Sequence, residues 1–334
     1  MSQNSPLTPD TVALAYRLLL GREPENQAVL DQFCDSVPDL AQLRQAFIDS
    51  PEFRQRMAAT LDKPLPSVRQ RHPFHLPQMP VELDATPAEL AQMLDRVKAA
   101  WERFGATEPY WSVVTQPMYR MEQIEAHRKG FYHSGKYSRD LFLAALRRCG
   151  INPAELGSCL EVGCGVGRVT RYLAEVFPRL IAADVSGAHL AHAREWLRQE
   201  GLSHVEWQHW TDPAALQQLP EVDAVFSLIT LQHNPPPVMA WMLRALLAAL
   251  KPGGVAYLQL PTYSSGYLFE VKRYLHIPPK VPMEMHFLPQ HEVFAIVQAS
   301  GCICLEVRED TMVGDENRML SNTFLIRKSV SSGS

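Results

Sequence analysis

The residues from Cys159 to Thr170 read Cys-Leu-Glu-Val-Gly-Cys-Gly-Val-Gly-Arg-Val-Thr. An acid, Glu161, is followed by Gly163, Gly165 and Gly167 at every second position. Glycines turn without Cβ clashes and let a ligand lie against the main chain. The apolar run before them suits a strand. The spacing of Val169, Tyr172, Leu173 and Val176 after them suits a helix, with Pro178 as its stop. Strand, glycine turn and helix make the first half of a βαβ unit with a nucleotide-like ligand at the turn. Asp184 closes the next apolar run, Leu180-Ile181-Ala182-Ala183. An acid there accepts hydrogen bonds from both ribose hydroxyls in doubly wound nucleotide sites. Two histidines further on, His233 and His286, are the candidate proton acceptors.

The pattern Glu-x-Gly-x-Gly-x-Gly departs from the Gly-x-Gly-x-x-Gly of dinucleotide folds. It resembles motif I of the class I S-adenosylmethionine-dependent methyltransferases. The resemblance implies S-adenosylmethionine as cofactor. Gly163 and Gly165, with Gly167 after them, would line its methionine end, and Glu161 would support the loop or the ammonium. Asp184 would hold the ribose, Asp212 of Thr211-Asp212-Pro213 would lie near the adenine, and Leu231 would flank the site. Asp212 before Pro213 is equally a helix N-cap. The turn Lys251-Pro252-Gly253-Gly254 is similar to the family's late motif, so the resemblance covers about 155–328.

These residues need a doubly wound α/β framework, a Rossmann-like seven-stranded sheet with an all-helical region ahead of it. The spacing predicts strands at Leu180–Ala183, His204–Trp210, Val222–Leu231 and Val255–Leu260, a helix from Ser186 to Gln199, and another up to Leu250. Helix Gln290–Ser300 and strands Cys302–Arg308 and Asn322–Arg327 would close the fold with the antiparallel hairpin the family has. The expected organisation is a helical domain over 1–60, a linker over 61–87 with six prolines, a helical cap over 88–150, the methyltransferase domain over 151–328 and a disordered tail over 329–334. Within the cap, Phe131 to Gly135 should break the chain before a helix from Tyr137 to Cys149. Tyr132 and Tyr137 are candidate site residues there, with aromatic packing as the competing role.

The N-terminal pattern Tyr16-Arg17-Leu18-Leu19-Leu20-Gly21-Arg22-Glu23-Pro24, closed by Ser50-Pro51-Glu52-Phe53-Arg54, resembles a short helical domain fused to bacterial surface-polysaccharide enzymes. The segments around His233, Pro261 and His286 resemble a bacterial subgroup found near the same pathways. A packing, oligomerising or partner-recruiting role is expected of the helical domain.

The chain has 334 residues, 46% of them hydrophobic and 20% charged, with a net charge of −4. That composition supports a sizeable core and gives no basic tract of the kind nucleic acid requires. The longest apolar stretch, Val238 to Leu250, is too short for a membrane span and contains Arg244. No secretory signal opens the chain, so a cytoplasmic protein is expected. Six cysteines form no metal-binding pattern, and buried free thiols are the reading for Cys302 and Cys304. No metal is expected.

The chemistry implied is methyl transfer, most simply to a hydroxyl of a saccharide or glycolipid, with His233 or His286 orienting or deprotonating the acceptor. His233 would otherwise pin the turn that opens the next helix. The insertion from Thr262 to Pro289, with Tyr263, Tyr267, Tyr274 and His276, is the expected acceptor cover. Two alternatives stand: a small-metabolite methyltransferase, for which a closed apolar pocket rather than an open groove would be expected, and a non-catalytic module that binds the cofactor or recruits a partner.

Overall fold

The computed structural model describes residues 7–61, 77–211, 214–279, 281–313 and 318–330. The chain divides into two compact units, Met1–Arg71 and His72–Ser334.

The first unit is helical: α1 (Pro9–Ala15, continued by a π-type turn Tyr16–Leu20), α2 (Gln27–Ser36), α3 (Leu40–Asp49) and α4 (Pro51–Leu61). Thr8, Asn26 and Asp39 cap the first three, each side chain accepting from a backbone N–H that the helix leaves open. Val12, Tyr16, Leu20, Leu30, Leu43 and Phe47 form the core. The Tyr16 ring meets Phe47 edge-on at 4.9 Å, and the Arg22 guanidinium lies over Tyr16 at 4.9 Å. Arg22 also grips Glu52 with two hydrogen bonds of 2.8 and 2.7 Å. Of the N-terminal pattern, Tyr16, Arg22 and Glu52 therefore tie the first helix to the last, while Leu18 is exposed.

The second unit opens with an extended segment. Residues 62–76 of the expected linker lie outside the described residues, but 77–86 are pinned rather than free. Val81 bridges to Phe269, and Glu82 accepts a 2.7 Å hydrogen bond from Val271 N–H. Four helices follow: α5 (Pro87–Thr107), α6 (Pro109–Val113), α7 (Ile124–His133) and α8 (Gly135–Arg148). Thr86 and Glu89 cap α5 reciprocally. The expected break at Phe131–Gly135 shrinks to Ser134, because α7 runs through His133 and Gly135 starts α8 against the backbone of Arg168.

Then come β1 (Ser158–Val162), α9 (Thr170–Leu173), β2 (Arg179–Asp184), α10 (Gly187–Gln199), β3 (Val205–His209), α11 (Ala214–Gln217), β4 (Val222–Ser227), α12 (Pro236–Ala248), β5 (Leu250–Ser264), α13 (Val271–His276), α14 (Gln290–Ala299), β6 (Cys302–Asp310) and β7 (Met319–Lys328). The seven-stranded sheet runs β3-β2-β1-β4-β5-β7-β6, parallel through β5, with β7 antiparallel to both β5 and β6. Alternate side chains face opposite layers. Leu160, Val162, Ile181 and Ala183 join the core under α12 and α14, while Cys159, Leu180 and Ala182 join the core under α8 and α10.

Of the boundaries that differ from the sequence reading, three lie near the strand ends that form the cleft and the insertion. The helix after the glycine turn spans only Thr170–Leu173. Strand β4 stops at Ser227, not Leu231, because Ile229 takes a left-handed φ of 55°. Strand β5 extends to Ser264 past a bulge between Pro261 and Tyr263.

Candidate active site

The strand-end loops of β1, β2 and β4 meet under α5 and α6 and enclose a cleft with about 920 Å³ of unfilled space, its open mouth included. That lies in the range of small-molecule sites. Gly163 has φ 75°, and a Cβ there would overlap the Thr230 side chain. Gly165 has φ 54°, and a Cβ would come 2.7 Å from Val113 of α6. Both line the cleft. Gly167 does not. It lets the turn approach α10, where a Cβ would meet Leu197 at 2.9 Å.

Asp184 is buried and braces two loops: Oδ2 accepts from Gly165 N–H at 2.8 Å and Oδ1 from Ser186 N–H at 2.9 Å. It holds the glycine turn in shape as well as facing the cleft. Glu161 is 2% exposed, and its Oε2 has no hydrogen-bond partner among the described residues. Burial pushes its carboxyl up to about 7, opposed by Thr170 and by the charge of Arg168. Arg168 also lines the cleft. Its terminal nitrogens donate to Ser134 and Ser138, and its Nε is buried without a partner. An unpaired acceptor and an unpaired donor thus lie at the glycine end of one cleft.

His233 sits in the turn Leu231–His233 and lines the cleft. Its Nδ1 lies 2.8 Å from the Glu284 carbonyl, which can only accept, so Nδ1 carries the proton and Nε2 keeps its lone pair, 3.5 Å from the Gln232 amide nitrogen. Burial pushes its pKa down to about 4. It is therefore neutral near pH 7, its ring tilted at 59° to Trp101 with centroids 4.9 Å apart. Glu284 is held in turn by Arg96 of α5, with hydrogen bonds of 3.2 and 2.7 Å, and by the Tyr274 hydroxyl at 3.0 Å. Arg96 also donates to the Tyr274 and Ile277 carbonyls.

The other candidates lie elsewhere. His286 lines no part of the cleft. Its Nδ1 shares a 2.8 Å hydrogen bond with the Tyr267 hydroxyl, Phe269 and Tyr274 enclose it, and burial pushes its pKa down to about 3. The aromatic insertion is a packed plug at this point. Leu231 is fully buried in the core, and Ile229 and Thr230 occupy the cleft in its place. Asp212 lies outside the described residues. Tyr132 stacks on Trp196 at 3.9 Å and Tyr137 is 69% exposed; neither lines the cleft.

Sequence reasoning missed Arg168, Trp101, Ser112 and His189 as lining residues. Ser112 Oγ lies 2.9 Å from His189 Nε2. Glu102 accepts from Gly187 N–H at 2.9 Å, so α5 caps the helix after β2 as it covers the cleft. Arg168 was visible as the residue that ends the glycine run. The α5 contacts depend on a long-range packing no local pattern reports.

Residues 159–254 match the family model described as a methyltransferase domain. The sheet order, the reversed β7 and that match agree. The fold is that of a class I methyltransferase. A magnesium protoporphyrin IX methyltransferase from Synechocystis PCC 6803 with bound SAH superposes with a TM-score of 0.50 at 17% identity, over 71% of this chain and all of that one. A ubiquinone biosynthesis O-methyltransferase of Pseudomonas fluorescens is 31% identical over 129 residues, 38% of this chain and 54% of that protein. A trans-aconitate 2-methyltransferase of Azoarcus sp. is 34% identical over 109 residues, 32% of this chain and 40% of that protein. The chain thus spans about half the length of these curated relatives. Within this methyltransferase fold the matched segment holds Glu161, the three glycines, Asp184 and His233, while α5 and the insertion lie outside it.

Proposed function

We propose that the protein transfers a methyl group from S-adenosylmethionine to an oxygen of a small acceptor. The observation that carries this reading is the pair of buried, unpartnered atoms, Glu161 Oε2 and Arg168 Nε, beside the glycine turn. A zwitterionic amino-acid end offers an ammonium to the first and a carboxylate to the second, relieving two buried polar groups at once. Gly163 and Gly165 leave the main chain open to it, and Asp184 stands at the ribose position while bracing the turn. When bound, S-adenosylmethionine supplies a sulfonium methyl, which an acceptor oxygen takes as the carbon–sulfur bond breaks, the sulfur keeping the electron pair and a hydroxyl acceptor losing its proton to His233 or to solvent. The chain's own part is to orient the acceptor and exclude water, through Trp101, Val113 and the neutral His233.

A hydroxyl of a saccharide or glycolipid was the simplest acceptor on the sequence. The cover of α5 and α6 over the cleft supports a small acceptor instead, since a long glycan needs an open groove. The named relatives, one in ubiquinone biosynthesis and one for trans-aconitate, also point to small molecules. We read residues 88–150 as a cap and 151–328 as the catalytic domain. The helical unit at the N-terminus serves as a packing or partner-binding module, its exposed Leu14 and Leu18 supplying a contact surface. Among the described residues no helix is long and apolar enough to cross a membrane.

Thermal unfolding of the full chain with S-adenosylmethionine, S-adenosylhomocysteine or NAD tests the cofactor reading. A ligand at a hundred times its Kd stabilises by ~2.7 kcal/mol, which for a unit of this size is a rise of about 5 °C or more. The two adenosyl compounds should produce it and NAD should not. Stabilisation by NAD alone, or by none of the three, would overturn the reading.

A further inference from the structure

A second cavity lies on the other side of Trp101. Arg96, Trp101, Arg103 and Phe104 of α5 form one wall, and Pro279, Pro282, Met283 and Glu284 of the insertion face them. Its unfilled space is about 670 Å³ with its open mouth included. Val97, Trp101 and His233 line both cavities, so the two adjoin at these side chains.

The charges of this cavity do not cancel. Arg96 and Glu284 neutralise each other through their paired hydrogen bonds. Arg103, two turns further along α5, makes no hydrogen bond or ion pair through its guanidinium among the described residues. It lies 5.6 Å from the centre of the Phe104 ring. Among the described lining residues one cation, the exposed Arg103, is therefore left at the cavity. Apart from His233 and two small alanines, the rest of the described lining is apolar: Val97, Trp101, Phe104, Pro279, Pro282 and Met283. It contains no Ser, Thr, Asn or Gln. An ionised group on a flat apolar body needs a cation and an aromatic face. Where the cavities adjoin, the Glu284 carbonyl occupies His233 Nδ1, and no carboxylate backs that nitrogen. The ring can accept a hydrogen bond at Nε2 or pack against a ligand, but nothing beside it strengthens it as a base.

We propose that this second cavity is the acceptor subsite and that it takes a small, planar, carboxylate-bearing acceptor. The carboxylate pairs with Arg103, the ring lies against Trp101, and the reactive oxygen points to His233 and the first cavity. The assignment rests on the cofactor occupying the first cavity. Arg96 is a positioning residue here, holding Glu284 and through it His233.

The test is calorimetric titration of the full chain, saturated with S-adenosylhomocysteine, using 4-hydroxybenzoate and its uncharged counterpart 4-hydroxybenzamide as probes. The benzoate should bind saturably and the benzamide about tenfold more weakly or worse. Arg103→Ala should weaken the benzoate by about tenfold and leave the benzamide unchanged, while Arg103→Lys keeps most of the difference. The affinity of each variant for S-adenosylhomocysteine, measured separately, reports whether it is folded. Equal binding of the two probes, no binding of either, or indifference to Arg103→Ala would overturn the subsite. Failure of S-adenosylhomocysteine to bind the wild type would instead overturn the cofactor reading on which it rests.

Discussion

The two sides of Trp101 are built differently. The first cavity is a main-chain site: glycines at positive φ, strand ends, and backbone N–H groups tied to Asp184. The second is a side-chain site, made where α5 meets an insertion far along the sequence. A main-chain site leaves a local record, because left-handed turns and close approaches require glycine at fixed positions. A site walled by side chains from distant segments leaves none until the fold brings them together. The difference explains why the sequence pointed to residues that line the first cavity, Glu161, Gly163, Gly165 and Asp184, and to few that line the second.

The sharpest way to break this comparison is at Gly163. Gly163→Val forces a β-branched residue to φ 75° and into Thr230, so S-adenosylhomocysteine affinity should fall at least a hundredfold in calorimetry. A bulky residue tolerated there would mean that the cleft is not built by its main chain.

The next effect is electrostatic. Glu161 has its carboxyl raised by burial from 4.5 to about 7. Between those values the unfolded chain has released this proton and the native chain has not. The contribution of this group to stability is therefore fully present below about pH 4.5 and is lost as pH rises to about 7, by up to ~3 kcal/mol. Glu161→Gln should flatten that slope in denaturant titrations across the window. The wild-type affinity for a ligand carrying an ammonium should rise with pH over the same range. Equal slopes in wild type and variant would show that Glu161 is already partnered.

On the second side the expected effects are smaller. Arg96→Ala removes the hydrogen bonds that hold Glu284 and two insertion carbonyls, at a cost of about 1–2 kcal/mol, or a few degrees in Tm. It should disturb His233, read from the imidazole resonances in NMR, and leave S-adenosylhomocysteine affinity nearly unchanged. Loss of cofactor affinity on that substitution would merge the two sites into one. The smallest effect belongs to Tyr137→Ser, on an exposed side chain outside both cavities, which should shift Tm by a degree or less.

Much of the fold was legible. Alternation of apolar residues placed the strands, and Ser186 and Gly201 bounded the helix after β2. The end of β4 was misread because Ile229 is as apolar as the strand before it. Only its left-handed conformation, with its N–H held 2.9 Å from Gln259 Oε1, stops the strand. Gly167 looked equivalent to Gly163 and Gly165, yet its small size serves α10. Leu231 is a core residue for the same reason that the strand ended early: the chain turns before it and presents Ile229 and Thr230 to the cleft. His233 and His286 had equal standing in the sequence. The fold separates them: one faces both cavities, the other is enclosed with Tyr267, Phe269 and Tyr274.

The most direct test of the central claim is a calorimetric titration of S-adenosylhomocysteine into the full chain and into Asp184→Ala. Micromolar binding by the wild type is expected. Asp184→Ala should weaken it by tenfold or more, because the substitution removes both the proposed ribose acceptor and the brace on Gly165. A folded wild type that does not bind, or an Asp184→Ala variant that binds equally well, would contradict the account.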